Sequence, residues 1–178
     1  IRDSETATIA AQAALTGHLV IATLHTNDAP TGVTRLLELG VDPFVLASTL
    51  VCVAAQRLLR LVCPDCRVET FLLRDQMAML GVDVDALDAG GDFRELMVPE
   101  GEGCVRCRNT GLYGRTGVFE VMEVDDKIRR MISVGASAKE MMRQARDDGL
   151  MTLREGAIKK LARGLTTFSE VLRVTTEA

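Results

Sequence analysis

Tryptophan is absent from these 178 residues and tyrosine occurs once, so a core has to be assembled from Leu, Val, Ile, Ala and Met. The same shortage of rings removes the stacking platforms on which single-stranded nucleic acid is held. Positive charge is not in excess either. The formal net charge of −4 leaves no electrostatic footprint for a phosphate backbone, and nucleic acid is not expected as a partner. No uninterrupted apolar stretch reaches the roughly 20 residues that span a bilayer, which excludes direct membrane insertion. The longest, residues 43–55, contains Ser48 and Thr49 and runs into "QRLLR". No signal peptide is visible and the first residue is Ile, so the chain is expected to start in the middle of something. There is no G-x-x-x-x-G-K-[ST], the loop that cradles nucleotide phosphates. Histidine occurs only twice, at His18 and His25.

What is present is the composition of a folded protein, 47% hydrophobic and 26% charged. The length allows one ordinary domain or one core plus a small satellite. Residues 4–15, "SETATIAAQAAL", predict a short alanine-rich helix with Ser4 as cap, Glu5 in the first turn and Gly17 closing it. Residues 18–24, "HLVIATL", predict a strand buried on both faces. Residues 30–39 predict a helix capped by Asp28 and stopped at Gly40, and Asp42 with Pro43 opens another. "VCVAAQRLLRLVC" reads as a strand, with a helix nearly as defensible. This is the order of an α/β layer. A polar insertion follows, holding "DAGGDF" and "PEGEGC", with a helix only around residues 73–80. "YGRTGVFEVMEV" predicts a further strand. Four helical pieces then end the chain, three of them closed by Gly135, Gly149 and Gly164.

Five cysteines in a chain with no export signal point to a reducing compartment, where paired C-x-x-C motifs read as metal chemistry before disulfides. "CPDC" at Cys63 and Cys66 and "CVRC" at Cys104 and Cys107 supply the four thiolates that a tetrahedral zinc site uses. No histidine is near and no open ligand position is offered, so such a site would be closed and structural, stapling a loop-rich insertion. Four free thiols, two redox pairs or an iron–sulfur cluster are the competing readings. Cys52, in apolar company, reads as a small core residue.

His25 lies in "TLHTND", a cluster of hydrogen-bonding side chains just past the carboxyl end of the predicted strand, the edge at which open α/β sheets bind ligands. A neutral imidazole there can contact a phosphate or hold a water. His18, before the strand, ranks below it.

The stretch "IRDSETATIAAQAALTGHLVIATLHTNDA" resembles the region from the Walker B box through the histidine box of the secretion ATPases, the motors of type II secretion and type IV pilus assembly. The likeness continues through "RLLELGVDPFVLASTL", "QRLLRLVCPDC", "GCVRCRNTGLYGRTGVFEVMEVDD" and "GLMTLREGAIKKLARGLTTFSEVLRVT". The resemblance implies the C-terminal part of a RecA-like ATPase core at 1–62, a four-cysteine zinc-binding insertion at 63–112, and a return strand with a helical C-terminal subdomain at 113–178. It further implies a homo-hexamer at the cytoplasmic face of the bacterial inner membrane, hydrolysing ATP with Mg2+ to drive an inner-membrane platform protein. Retraction motors of the superfamily typically lack the zinc module, so the cysteines favour the secretion or extension branch.

Carried onto this sequence, Arg2, Asp3 and Glu5 match the tail of the Walker B signature, and His18 and His25 match the histidine box. The resemblance gives His25 and Arg2 catalytic roles and gives His18, His25, Glu5 and Arg57 nucleotide-binding roles. Arg2 either stabilises phosphate charge or braces its loop, and Gln56 with Arg57 either packs across the sheet or meets nucleotide. Without the phosphate loop, the chain by itself is expected to be inactive toward ATP. A self-contained zinc adaptor is the alternative. A zinc-ribbon nucleic-acid binder fits the charge poorly, and a C-x-x-C oxidoreductase fits poorly because neither pair opens a helix after a strand.

Overall fold

Asp28, Asp42, Asp125 and Ser137 each turn a side-chain oxygen onto backbone N–H groups of the helical turn that follows. These donors have no partner within the helix, so such acceptors decide where helices begin. Gly40, Gly135, Gly149 and Gly164 close four helices at positive φ, where a side chain would be strained. The computed structural model describes residues 1–81 and 97–176, so "DAGGDF" lies outside the described residues. The described chain divides into two compact units.

The first unit comprises Ile1–Gln56 and Phe119–Leu153. It holds α1 (Ser4–Leu15), α2 (Ala29–Glu38) and α3 (Pro43–Thr49), the start of β1 (Cys52–Val62) and the end of β4 (Leu112–Glu123). After β4 come α5 (Asp126–Ser133) and α6 (Ala138–Asp147). Helix α3 packs on α1 and α5, and α2 packs on α6. Their apolar stripes meet in one core containing Val33, Leu36, Leu46, Met122, Ile128, Ile132 and Met141. The cap of α1 is Asp3, not Ser4: the Asp3 carboxylate accepts from Thr6 N at 2.8 Å and from Thr6 Oγ1 at 3.0 Å.

Two further expectations fail in this unit. Residues 18–24 form neither helix nor strand, and Leu19 and Ile21 are 85% and 88% exposed. Burial on both faces requires flanking strands and covering helices, and no strand among the described residues pairs with this segment. Cys52 is exposed. Strand side chains alternate, and over residues 52–59 of β1 the buried positions are Ala55 and Leu59, so Cys52 shares the outward face with Gln56 and Leu58.

The second unit comprises Arg57–Val118 and Arg154–Ala178. It contains β2 (Arg67–Phe71), α4 (Arg74–Met79), β3 (Met97–Gly101), most of α7 (Leu153–Ala162) and α8 (Phe168–Thr176), with the remainder of β1 and β4. Strands β2 and β3 pair antiparallel, with Arg67 opposite Gly101 and Phe71 opposite Met97. Strands β1 and β4 form the other two-stranded sheet. Its ends are closed by Val124 N to Val51 O and Cys63 N to Gly111 O, both at 2.9 Å.

Within this unit the backbone of β1 is also occupied by the C-terminal segment. Val62 N donates to Leu165 O at 3.1 Å, and Thr166 Oγ1 donates to Arg60 O at 2.7 Å. Arg60 N donates to Glu170 Oε2 at 2.9 Å, and Arg173 Nη2 donates to Leu58 O at 3.2 Å. A strand edge that would otherwise offer unpaired polar groups is thereby covered along residues 58–62. Helix α7 is held in the same way: Arg154 donates to Met79 O, Lys160 Nζ to Thr116 Oγ1 at 3.0 Å, and Arg67 Nη1 to Gly164 O at 2.8 Å.

Candidate functional site

The first site grows from the N-terminus of α2. Asp28 Oδ1 accepts from Thr31 N at 2.8 Å, Asp28 N donates to Thr31 Oγ1 at 3.3 Å, and Thr26 Oγ1 donates to Asp28 O at 3.3 Å. This reciprocal cap holds the loop that carries His25. Arg2 Nη2 lies 3.3 Å from His25 Nε2. A guanidinium only donates, so the contact requires a lone pair on Nε2 and places the proton of a neutral ring on Nδ1. Beside it, His25, Thr26, Asn27, Thr31, Thr34, Arg35 and Glu38 line a depression of about 280 Å3. Both Arg2 and His25 are exposed.

Of the residues singled out in the sequence, the structure therefore brings Arg2 and His25 together. His18 does something different. Its Nδ1 lies 3.0 Å from Thr16 Oγ1 and 3.3 Å from Ala13 O, at the carboxyl end of α1. A carbonyl only accepts, so here Nδ1 is the donor, and the ring adds to the bonds that Ala13 O already accepts from His18 N at 3.2 Å and Thr16 Oγ1 at 2.8 Å. Asp3 is engaged as the α1 cap, and Glu5 is exposed in the first turn. Gln56 is exposed on β1; Arg57 follows it, half-buried, and opens the second unit.

The second site brings all four predicted cysteines together. Cys63 directly follows β1 and Cys66 precedes β2; Cys104 and Cys107 lie in the turn between β3 and β4. That turn needs left-handed backbone at Arg108 and Asn109, and it is closed by Asn109 N to Cys104 O at 2.9 Å. Gly101 and Gly111 cross so closely that a Cβ built on Gly101 would sit 2.1 Å from Gly111 O. Only glycine at both positions lets the second turn lie against β3. Arg106 Nη1 bridges to Asp65 Oδ1 at 2.9 Å, joining the two turns, and stacks over the Tyr113 ring at 4.5 Å.

The four sulfurs all lie within 4.8 Å of one another. Cys63–Cys104 and Cys66–Cys107 are 3.8 Å apart and Cys104–Cys107 is 3.7 Å. A tetrahedron with metal–sulfur bonds of about 2.3 Å has edges of about 3.8 Å, so the set fits one thiophilic ion. It does not fit disulfides, whose sulfurs are about 2.05 Å apart. Burial pushes the Cys66 thiol up to about 12. Burial acts the same way on Cys107, but N–H donors from Cys104 at 3.1 Å and Gly111 at 3.3 Å, with the neighbouring thiols, hold it down to about 6. Backbone donors thus prepare one sulfur as thiolate, and an ion would have to displace the proton of another.

Two buried acidic residues outside these motifs also matter. Glu120 is 2% exposed, and its carboxylate accepts from Ala29 N at 2.8 Å and from Leu153 N at 3.3 Å. Glu170, 5% exposed, accepts from Arg60 N and binds Arg173 through both Nε and Nη2 at 2.9 Å. Strand alternation could have flagged the first, because Glu120 shares its parity with buried Val118 and Met122.

Residues 1–173 match the family model described as "Type II/IV secretion system protein". The chain is 47% identical over 177 residues to the type IV pilus assembly ATPase PilB of Thermus thermophilus, covering 99% of this chain and 19% of that protein. It is 44% identical to the type II secretion system protein E of Pseudomonas aeruginosa, covering 99% of this chain and 34% of the relative. The chain thus spans about a fifth to a third of the length of these curated relatives. Among solved structures, the Legionella pneumophila ATPase DotB superposes with a TM-score of 0.61 at 18% identity, over 100% of this chain and 37% of that one. The pilus retraction motor PilT with bound ADP gives 0.60 at 20% identity, over 98% and 37%. The fold is similar to that of these two proteins.

Proposed function

This chain belongs to the type II/IV secretion system protein family, and on that premise we propose that it is the C-terminal part of a hexameric ATPase that powers type II protein secretion or type IV pilus assembly. The observation that carries the reading is identity above 40%, over at least 99% of this chain, to part of a pilus assembly ATPase and of type II secretion proteins. Residues 1–62 belong to the ATPase core, 63–112 to a four-cysteine insertion, and 113–178 to the return strand and helical tail. The motor works at the cytoplasmic face of the inner membrane against a platform protein. No helix among the described residues is long and apolar enough to cross a membrane, in keeping with a peripheral attachment.

In this reading the Arg2–His25 pair faces the outermost phosphate of ATP. With Nε2 turned to Arg2, the ring keeps Nδ1–H as its donor to a phosphate oxygen, and the guanidinium adds positive charge beside it. Of the other residues given nucleotide-binding roles by the resemblance, Glu5 lies in the same unit, in the first turn of α1. ATP and Mg2+ supply the transferable phosphoryl group and its charge neutralisation; the loop that cradles them is not among these 178 residues. The four thiols take one structural zinc, held by Cys63, Cys66, Cys104 and Cys107, consistent with sulfur separations of 3.7–3.8 Å.

Turnover of Mg-ATP tests the assignment. The 178-residue chain stays at background, whereas the same chain joined to its phosphate-loop segment hydrolyses ATP. Magnesium-dependent hydrolysis by the chain alone, or none by the joined protein, would refute it.

A further inference from the structure

Helix α2 starts directly behind the histidine loop, and its first N–H groups can be followed one by one. Thr31 N is taken by Asp28, and Pro30 has no N–H. That leaves Ala29 N, on a residue with no exposed surface. It donates to Glu120 Oε1 at 2.8 Å, from a strand 91 residues further along the chain. The other oxygen of the same carboxylate accepts from Leu153 N, the first residue of α7 and the last of the first unit. One buried anion therefore meets the first N–H of two helices, each ten residues long, where the partial positive charge of a helix is greatest.

We infer that Glu120 is a positioning residue for the His25 loop, fixing through one carboxylate the start of α2 immediately behind that loop and the start of α7. Asp28 and Thr31 shape the loop locally, but their bonds are all within residues 26–31. Glu120 ties the end of that loop to β4, a distant strand whose neighbours Val118 and Met122 are themselves buried. A carboxylate suits the task because it offers only acceptors, and both facing groups are donors. The geometric claim does not depend on nucleotide; its catalytic consequence rests on the proposed role of His25.

The test is NMR on the full, metal-loaded chain, whose two histidines report separately. Glu120→Gln keeps the volume but offers one carbonyl oxygen to two donors and turns an NH2 group toward the other. The His25 ring resonances should shift and the Ala29 amide exchange about tenfold faster or more, as for losing a hydrogen bond to a charged acceptor. His18, tied to α1, should keep its resonances. A folded Glu120→Gln chain with unchanged His25 signals and unchanged Ala29 protection overturns the inference. If Glu120→Gln does not fold, Glu120→Asp decides. It keeps the charge, withdraws both oxygens by about 1.5 Å, and must shift His25 while sparing His18. In the joined, hydrolysing protein, Glu120→Gln lowers kcat and leaves the KM for ATP within about twofold. Turnover insensitive to His25→Ala would sink the nucleotide reading and leave the positioning result standing.

Discussion

Removing one sulfur from the four-thiol centre is the sharpest perturbation of the second unit. Cys66 is the site to choose, because it is only half-buried and Cys66→Ser disturbs packing little. The surrounding turns have few apolar contacts of their own: every residue of β2 is at least partly exposed, and the Gly101–Gly111 crossing adds no side-chain burial. Ordering such a stretch costs about 1–2 kcal/mol per residue in backbone entropy, a cost that a bound metal would offset. Structural zinc binds small domains with apparent free energies of about 10–16 kcal/mol. Free zinc at about a thousand times its dissociation constant stabilises the folded state by about 4 kcal/mol. For a chain of this size each kcal/mol moves Tm by roughly 2–4 °C, so chelation or Cys66→Ser should lower Tm by roughly 8–16 °C. Calorimetry is the assay, since without tryptophan there is no strong fluorescent reporter. Metal analysis should find one zinc per wild-type chain and none tightly held in the variant. Because zinc must displace a proton from Cys66, pushed up to about 12 by burial, the Tm advantage should shrink as pH falls. A chelator-insensitive Tm, or Cys66→Ser with full zinc and wild-type stability, would show that these thiols hold no structural metal.

Three further predictions concern stability. Burial would raise the Glu170 carboxyl, but Arg173 and the Arg60 N–H outweigh it and hold the group below its ordinary value. Its contribution is therefore full above the unfolded pKa, about 4.3 for glutamate, and is lost as pH falls through the folded value. Urea midpoints between about pH 6 and pH 3.5 should accordingly fall more for wild type than for Glu170→Gln; equal slopes would contradict this. Gly111→Ala, whose Cβ would sit 2.3 Å from Gly101 O at a φ of 71°, should destabilise by about 3 kcal/mol or more and weaken zinc binding. Ile132→Ala, in the fully buried centre of the first unit, should cost about 2–5 kcal/mol in chemical denaturation while leaving zinc content at one per chain.

Features set by neighbours within a few residues were legible in the sequence. Asp28, Asp42 and Ser137 cap within three residues, and Gly40, Gly135 and Gly149 end helices by their own φ. The two C-x-x-C pairs point to one four-thiol cluster because the spacing itself turns both sulfurs of a pair to the same side, and the four sulfurs do meet. Residues 18–24 misled for the opposite reason. An apolar run states a readiness to be buried, while burial requires partner strands, and none among the described residues flanks it. Cys52 was misplaced because a run rich in apolar residues hides which parity faces inward. The pairings of Glu120 with Ala29 and of Glu170 with Arg60 span 91 and 110 residues, beyond what local pattern encodes.

If the loop beside Arg2 senses a nucleotide phosphate, kcat for ATP hydrolysis reports it. In the joined protein carrying its phosphate loop, His25→Ala and Arg2→Ala should each lower kcat on the order of a hundredfold. Turnover unchanged in both variants, with the protein folded and zinc-loaded, would contradict it.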